Sequence, residues 1–317
     1  MNISDSKNVA NAIQRVLDSL RLQGSIYCLF EGSESWGLRL PEAPQARFHA
    51  VRGGQCWLRV GQDEPILITE GELILLPRGD QHDVLSDPDS DVIDLANAFG
   101  EADSYQRVFQ MGVGEQRASL ICGGFDFDDA DLHPLPTCLP RIMRLRAADQ
   151  PSAGIQGLLD LVHSELQGPY LASEVVLRRL SEILFITAVR IFAISDHGNG
   201  TSWLSGLADP VVGEALAIIH SEAGHNWSVS ELARKAGTSK TTLTERFQRF
   251  VGYSPHRYLT RWRMIEARRL LREGTMTVAE ISECVGYASE AAFIRAFQRE
   301  VGIPPSECRP RFNSRSK

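Results

Sequence analysis

The sequence predicts an α+β protein in three parts: an antiparallel β-barrel, a helical connector, and an all-α C-terminal domain with two helix–turn–helix units joined by a long helix. Three patterns lead to this prediction. Residues 25–145 form β-type segments between Gly, Pro and Asp turns, residues 152–197 have helical periodicity, and residues 227–312 contain one helical pattern twice. The predicted parts are residues 1–148, 149–200 and 207–312.

Length and charge limit the class of protein. A chain of 317 residues predicts two or three domains. No apolar run approaches about 18 residues and the first residues do not resemble a signal peptide, which favours a cytoplasmic protein with no membrane segment. The net charge is −7, but from Leu207 onward there are 17 Lys and Arg against 12 Asp and Glu, whereas the preceding residues hold 16 against 28. The C-terminal domain therefore has the charge that DNA phosphates attract.

The first part begins with an amphipathic helical pattern over residues 7–22, and β-type segments follow. Cys56, Leu58 and Val60 alternate with other residues as in a half-buried strand, and a turn is predicted from Gly61. Many short antiparallel strands with even spacing are typical of a small barrel or jelly roll.

Two helices are predicted in the connector, over residues 155–166 and 172–194. The second helix is rich in apolar residues, and a solitary apolar helix requires a partner. Packing on the barrel and homodimerisation through this helix are the two alternatives. Residues 197–202 (His-Gly-Asn-Gly-Thr-Ser) are the candidate linker to the third part.

The third part contains a duplicated unit. Residues 227–237 return as 276–286 at an offset of 49, and Phe247-Gln-Arg returns as Phe297-Gln-Arg at an offset of 50. Each copy starts with a capping box, a hydroxyl residue followed three positions later by Glu, and continues after a turn into a second helix. The two second helices are predicted over residues 240–250 and 290–300.

A long helix is predicted between the two units, from Ser254-Pro255 to Gly274. A helix of about 18 residues spans roughly 27 Å at 1.5 Å per residue. Successive major-groove faces of DNA lie ~34 Å apart. One chain could therefore place two recognition helices in adjacent grooves.

The predicted DNA contacts lie mainly in the first two turns of each second helix, because a recognition helix reaches base edges from that end. Arg295 is predicted to contact a guanine or a phosphate. For Arg246, Arg249 and Arg299, a phosphate contact and plain surface charge are equal alternatives. The first unit is expected to read sequence more strictly. The full set is Lys240, Thr241, Thr242, Thr244, Glu245, Arg246 and Arg249 in the first unit, and Ser289, Glu290, Ala291, Arg295 and Arg299 in the second.

The third part resembles the DNA-binding domain of AraC/XylS-type transcription regulators. The resemblance rests on Trp-Ser-Val-Ser-Glu-Leu-Ala (227–233), Ser-Pro-His-Arg-Tyr-Leu (254–259), Arg-Trp-Arg-Met (261–264) and Gly-Ile-Pro-Pro (302–305). It implies a sequence-specific transcription regulator that binds double-stranded operator DNA, with RNA polymerase as a partner.

The first part resembles a cupin barrel. Gly71-x5-Pro77-x-Gly79-x-x-His82 matches the second cupin motif, in which the histidine points into the barrel and often binds metal, whereas the first motif is reduced to His49. Segments such as Ser35-Trp36-Gly37, Gly54-Gln-Cys56-Trp57-Leu58 and Leu120-Ile-Cys122-Gly123 also resemble the sensor arm of an AraC subgroup, which includes regulators that sense reactive chlorine through cysteines. The redox cysteines of those regulators match Cys28 and Cys122.

His49, His82 and Cys122 are therefore candidate ligands of a zinc ion, since two imidazoles and a thiolate suit Zn²⁺. The alternative is that the histidines are hydrogen-bonded interior groups. Cys28 and Cys122 are candidate redox residues, and inert buried cysteines are the alternative, because no neighbour in sequence supplies a cation to lower their pKa. Cys284 and Cys308 are interpreted as packing residues.

No catalytic residues are predicted, and the expected signal is a small molecule, a metal or an oxidant acting on the barrel. The competing functional classes are a cupin enzyme tethered to DNA and an architectural DNA-binding protein. The reduced metal motif and the absence of a recurring acid–base cluster count against the enzyme. The large acidic first part counts against a purely architectural protein.

Overall fold

The computed structural model of the protein describes residues 14, 16–17, 22–99, 107–127, 133, 139–146, 153–168, 170–195 and 203–309. The chain forms two compact units. The barrel unit comprises Leu22–Asp128 and Leu139–Ser195, and the helical unit comprises Met1–Arg21, Asp129–Cys138 and Asp196–Lys317. Most of the helix predicted over residues 7–22, and the whole candidate linker at residues 197–202, lie outside the described residues.

The described part of the barrel unit contains a curled sheet of ten strands. The strand order is β7-β2-β6-β3-β9-β1-β8, β4 and β5 also pair with β3, and β10 pairs with β5. All pairs are antiparallel except β1 with β8 and β2 with β7. The predicted cupin-like antiparallel architecture is thus confirmed. The strands are β1 (Leu22–Gly32), β2 (Gly37–Leu40), β3 (Ala46–Val60), β4 (Ile66–Thr69), β5 (Leu73–Leu76), β6 (His82–Leu85), β7 (Ile93–Asp94), β8 (Val108–Met111), β9 (Ala118–Phe127) and β10 (Met143–Leu145).

Strand β3 is 15 residues long, whereas the sequence predicted only short strands. Its first part pairs with β9 and β5, and its last part, from Gln55, pairs with β4 and β6. The pairing register shifts between Val51 and Gly53, and Gly54 has a φ of 72°. A bulge of this kind bends a strand without ending it. Strand β3 therefore pairs with strands in both halves of the curled sheet.

An apolar cluster fills much of the interior of the curled sheet. Cys56, Leu58 and Val60 are buried in it, which confirms the predicted alternation. Phe30 and Trp36 belong to the same cluster, and their ring centroids lie 4.7 Å apart.

The connector helices belong to the barrel unit. After the short helix α1 (Leu95–Phe99), helices α2 (Ala153–Gln167) and α3 (Ser173–Ser195) follow the predicted bounds closely. The ring of Phe185 on α3 lies 5.0 Å from that of Phe125 on β9. A Cβ atom on Gly24 of β1 would collide with the hydroxyl of Ser181 on α3. The inner face of α3 is therefore covered by the sheet, as the packing alternative requires.

The helical unit has the predicted order of helices. Both capping boxes are present, at Ser228 with Glu231 and at Thr277 with Glu280. Its helices are α4 (Trp203–Ala208), α5 (Pro210–Ser221), α6 (Val229–Lys235), α7 (Lys240–Val251), α8 (Pro255–Glu273), α9 (Val278–Cys284) and α10 (Glu290–Val301), followed by a 3₁₀ turn at Pro305–Glu307.

The inner faces of the two second helices are buried. Leu243 and Phe247 on α7, and Phe293 and Phe297 on α10, are fully buried, as their spacing predicted. Cys284 is exposed, so its interpretation as a packing residue is wrong, because it lies on the outer side of the short helix α9. Within the described residues, no helix combines the length and the apolar character that crossing a bilayer requires.

Candidate nucleic-acid interface and barrel site

The predicted DNA contacts lie along α7 and α10, mainly in the first two turns of each helix. Ser239 and Ser289 are the N-caps, and their hydroxyls accept hydrogen bonds from the amides of Thr242 and Ala292. Of the twelve predicted residues, Thr242 and Thr244 are partly buried, and the other ten, which include Arg295 and Arg299, are exposed. Ten of the twelve side chains are therefore accessible on the surface of the two helices, and their contact with DNA stays a prediction.

In the first helix–turn–helix unit, the hydroxyls of the two partly buried threonines already form hydrogen bonds within the protein. Thr244 donates its hydroxyl hydrogen to the carbonyl of Lys240 at 2.8 Å, and the hydroxyl of Thr242 lies 2.9 Å from that of Ser239. Both hydroxyls therefore have a partner in the helix already. Their methyl groups remain suited to contacts with a thymine methyl.

The arginines of α7 and α10 also differ in their surroundings. Arg246 forms an ion pair with Asp209 at 3.1 Å, and Asp209 is the N-cap of α5. Arg246 thus joins α7 to α5, a structural role that the sequence analysis missed because the two residues are far apart in the chain. Arg299 pairs with Glu300 at 3.0 Å. Arg295 is exposed and has no ion-pair partner among the described residues.

Arg263 connects the long helix α8 to both helix–turn–helix units, and the sequence analysis did not predict this role. It is buried in α8, and it donates hydrogen bonds to the carbonyls of Ala223 at 2.8 Å and His225 at 2.9 Å, in the segment before α6. Its guanidinium also lies 5.6 Å from the ring centroid of Tyr287, in the turn of the second unit. Burial lowers the pKa of Arg263, and the charge of Tyr287 opposes this effect.

The contact between the segment before α6 and the turn of the second helix–turn–helix unit requires a glycine at position 286. Gly286 has a φ of 80°, and a Cβ atom on it would collide with the carbonyl oxygen of Gly224. The backbones of the segment before α6 and of the second unit's turn therefore lie in direct contact beside Arg263. The signal in the sequence was an arginine on the apolar face of the long helix, between Trp262 and Ile265.

In the barrel unit, strand pairing brings the predicted site residues together. Cys122 on β9 is paired with Cys28 on β1 and with His49 on β3. Nδ1 of His49 lies 3.2 Å from the sulfur of Cys122, and Nε2 of His49 lies 2.8 Å from Nε2 of His82. Nδ1 of His82 lies 2.7 Å from the carbonyl oxygen of Asp80.

These contacts fix the positions of the hydrogens. A carbonyl oxygen can only accept, so Nδ1 of His82 donates to Asp80 and Nε2 of a neutral His82 accepts. His49 then donates from Nε2, and its Nδ1 accepts the S–H of Cys122. Cys122 also lies opposite Cys28 in the pairing of β1 with β9. The result is a one-directional chain of hydrogen bonds through the barrel interior.

The pKa values agree with this assignment. Burial lowers the pKa of His82 to about 4, and burial followed by the proximity of His82 lowers that of His49 well below 6.5. The neighbouring thiol of Cys28, followed by burial, raises the pKa of Cys122 well above 9.0, although the residue as a whole is partly exposed. Both histidines are therefore neutral at pH 7 and Cys122 is a thiol.

The family of the chain follows from its relatives. A family model described as Cupin matches residues 11–193, and one described as Helix-turn-helix domain matches residues 232–311. An AraC-like transcription regulator of Streptomyces lividans is 35% identical over 298 residues, which cover 94% of this chain and 97% of the relative. The chain belongs to the AraC family of transcription regulators. It is therefore a DNA-binding regulator and not an enzyme, as predicted.

Two further comparisons describe what this AraC-family regulator is similar to. RclR of Escherichia coli strain K12, an RCS-specific HTH-type transcriptional activator, is 25% identical over 303 residues, which cover 95% of this chain and 94% of RclR. A crystal structure of ToxT from Vibrio cholerae O395 is 12% identical, covers 92% of this chain and 96% of ToxT, and gives a TM-score of 0.33.

The candidate zinc ligands of the regulator do not fit a metal ion in this arrangement. The two nitrogens of His49 face in different directions, Nε2 to His82 and Nδ1 to Cys122. Two nitrogen ligands of one tetrahedral zinc lie roughly 3.3 Å apart, given Zn–N bonds of about 2.0 Å, whereas the two Nε2 atoms are closer. Nowhere in the described part of the chain are three His, Cys, Asp or Glu residues placed to hold an ion. The alternative of hydrogen-bonded interior histidines fits instead.

The regulator's stability is expected to fall as the pH drops from about 6.5 to about 4. The unfolded chain binds a proton at each histidine near pH 6.5, whereas folded His82 does so only near pH 4. The unfolded state therefore holds more protons in this window, and the free energy of unfolding decreases by ~1.4 kcal/mol per pH unit and histidine.

Urea unfolding at four pH values across this window measures the effect. The control is His82→Gln, which removes one titrating group and is expected to reduce the pH slope by about one histidine's share. An equal slope in the variant would show that His82 is not buried and neutral in the folded protein.

Proposed function

We propose that this regulator binds a bipartite operator through α7 and α10, and that the barrel unit senses a small molecule or an oxidant that controls this binding. RNA polymerase is the partner through which bound regulator would act, in the cytoplasm. The observation that carries the DNA-binding proposal is the pair of capped helices whose first turns expose polar and charged residues, Lys240 and Arg295 among them, on one linking helix.

The length of the linking helix supports a bipartite operator. Helix α8 has 19 residues, which correspond to ~28 Å at 1.5 Å per residue. This length is comparable to the ~34 Å between successive major-groove faces. The contacts of Arg263 with the segment before α6 and with Tyr287 further support a fixed separation of the two recognition helices.

Arg295→Ala is expected to weaken specific operator binding by ~1–3 kcal/mol and to relax the preference at one base position, because an arginine can donate two hydrogen bonds to a guanine. Binding to an operator and to a panel of single-base variants measures both effects. The matched control is Arg299→Ala, whose side chain pairs with Glu300 and which should act mainly through the salt dependence of binding. If Arg295→Ala weakens binding to unrelated DNA equally, Arg295 contacts a phosphate.

For the sensor, we propose Cys28 and Cys122 as a redox pair. The two residues face each other on antiparallel strands, where Cα atoms lie ~4.5–5.5 Å apart, within the range that a disulfide spans. Hypochlorous acid would take two electrons from the two thiols, which gives a disulfide, chloride, water and a proton. The disulfide would remove the S–H donor from Nδ1 of His49 and so break the hydrogen-bond chain.

Cys122→Ser tests the redox pair, because serine keeps a donor for His49 but cannot form a disulfide. In the reduced wild-type protein, hypochlorite is expected to change operator affinity about tenfold, which requires only ~1.4 kcal/mol of differential stabilisation between two states. The variant should not respond. The control is Cys284→Ser, which removes an exposed thiol of the helical unit and should leave the response intact.

A full response in Cys122→Ser, together with a metal assay that finds no zinc in the protein, would leave binding of a small molecule by the barrel as the sensing mechanism. The high pKa of Cys122 gives this second candidate weight, because the thiolate is the reactive form of cysteine.

We also propose that the regulator forms a homodimer through the outer face of α3. Val175, Val176 and Ile183 on this face are 50%, 40% and 47% exposed, whereas the inner face is covered by the sheet. Exposed apolar side chains at helical spacing are typical of a subunit interface. Light scattering of the full chain, with Ile183→Glu as the interface variant, measures whether the mass is that of two chains.

A further inference from the structure

The barrel unit contains a half-buried cation, Arg47, that has no carboxylate partner among the described residues. Arg47 lies on β3, paired with Leu76 on β5 and Gly124 on β9. Its Nη1 is buried and has no hydrogen-bond partner, and Arg47 has no ion pair with any described residue. Burial lowers the pKa of Arg47, and the only group that raises it is the hydroxyl of Tyr27.

Three other partly buried arginines of this unit are neutralised by carboxylates. Arg39 and Arg59 each lie 2.9 Å from a carboxylate oxygen of Asp83. Arg144 contacts the buried carboxylate of Glu72 at 2.8 Å. A guanidinium that is partly removed from water without such a partner is unfavourable, so an anion beside Arg47 would be stabilising.

Strand geometry places Arg47 beside the cysteine–histidine chain. Side chains two residues apart on a strand share a face, so Arg47 and His49 lie on the same face of β3. On β9, Gly124 and Cys122 share that face for the same reason. Phe48 takes the opposite face, where its ring lies 5.2 Å from that of Phe125. Arg47 thus belongs to the interior side of the curled sheet.

Tyr27 supplies a second donor at this position. A Cβ atom on Gly124 would collide with the hydroxyl of Tyr27, so the glycine leaves the space that this hydroxyl occupies opposite Arg47. His49 and His82 are neutral, and the charge of Arg47 contributes to lowering the pKa of both. Asp126 lies near enough to raise the pKa of Tyr27, so the cluster holds the positive charge of Arg47 and, on the side of Tyr27, one carboxylate that forms no ion pair with Arg47.

We propose that the barrel unit binds the carboxylate of a small organic acid at Arg47, with the Tyr27 hydroxyl as second donor. A planar, singly charged carboxylate matches both the fork of a guanidinium and the single positive charge. The site deepens the proposed function, because it gives the chemical class of the signal that the barrel senses. Binding there would place an anion next to His49 and could thus act on the same hydrogen-bond chain.

The test is thermal unfolding of the reduced full chain with acetate, butanoate, hexanoate and benzoate at constant ionic strength, each beside its neutral amide. At 100-fold above Kd, a ligand of this site is expected to raise the Tm by about 5 °C, and its amide should not. Arg47→Gln should abolish the carboxylate response and leave the Tm without ligand unchanged or higher, because it removes an unpaired charge.

Arg144→Gln is the matched control: it leaves Glu72 without its closest partner, so it should lower the Tm yet preserve the carboxylate response. No response of the wild-type protein to any of the four acids, or an equal response in Arg47→Gln, overturns the site. The readout does not involve DNA. A carboxylate that binds through Arg47 without changing operator affinity therefore supports the site and contradicts the barrel's role as sensor.

Discussion

Replacing Leu259 with proline is expected to abolish binding to two adjacent grooves. Leu259 is buried in the second turn of α8. Proline there removes a helical hydrogen bond and clashes with the carbonyl of Pro255, which costs ~3 kcal/mol or more and kinks the helix. Footprinting on an operator should show that protection of the two grooves is lost or limited to one.

Leu259→Ala is the control, because it removes the buried side chain but keeps the helix continuous. This change should lower the free energy of unfolding by ~2–5 kcal/mol and leave the two-groove footprint in place under folding conditions. Unchanged spacing of the protected grooves in Leu259→Pro would mean that α8 is not the spacer.

Arg263→Ala is expected to have the second largest effect. The change removes the donors to the carbonyls of Ala223 and His225 and the contact with Tyr287. Hydrogen bonds from a charged donor contribute ~1.5–3 kcal/mol each, so the free energy of unfolding should fall by roughly 3 kcal/mol or more. Urea unfolding measures this loss.

The distinguishing measurement is a series of operators that differ in the distance between their two half-sites. The wild-type regulator should prefer one half-site distance. Arg263→Ala should bind operators of several distances with similar affinity, because no common side chain then holds the two helix–turn–helix units together. Arg263→Lys keeps the charge, but its compact ammonium group cannot reproduce the guanidinium fork. Its preference for one half-site distance should therefore be weaker than that of the wild-type regulator and stronger than that of Arg263→Ala. A sharp preference retained by Arg263→Ala would assign the spacing to other contacts.

Local features could be read from the sequence because their physical cause is local. The capping box of Ser228 with Glu231 spans three residues, and the apolar spacing of Leu243 and Phe247 spans four. The sequence therefore predicted the helices and their buried faces. The length of strand β3 was not predicted, because its bend depends on pairing with strands far away in the chain.

In the barrel site, too, the sequence predicted which residues lie together but not how their side chains are oriented. The resemblance brought His49, His82, Cys28 and Cys122 together correctly, but the direction of each ring nitrogen depends on the register of three strands. The structure alone shows that the histidines face each other and that a zinc ion does not fit. Ion pairs between distant residues, such as Arg246 with Asp209, were likewise invisible to patterns of spacing.

The pairing of β1 has a consequence for the order in which the two units form during synthesis. Leu22 at the start of β1 pairs with Phe127 at the end of β9, and α3, which covers β1, ends only at Ser195. At ~5–20 residues per second, about 5–20 s pass between the synthesis of β1 and that of its partner strand β9. During that time the backbone edge of β1 is open to other nascent chains. Each helix–turn–helix, in contrast, has its partners within a few tens of residues, so it can fold as soon as it emerges.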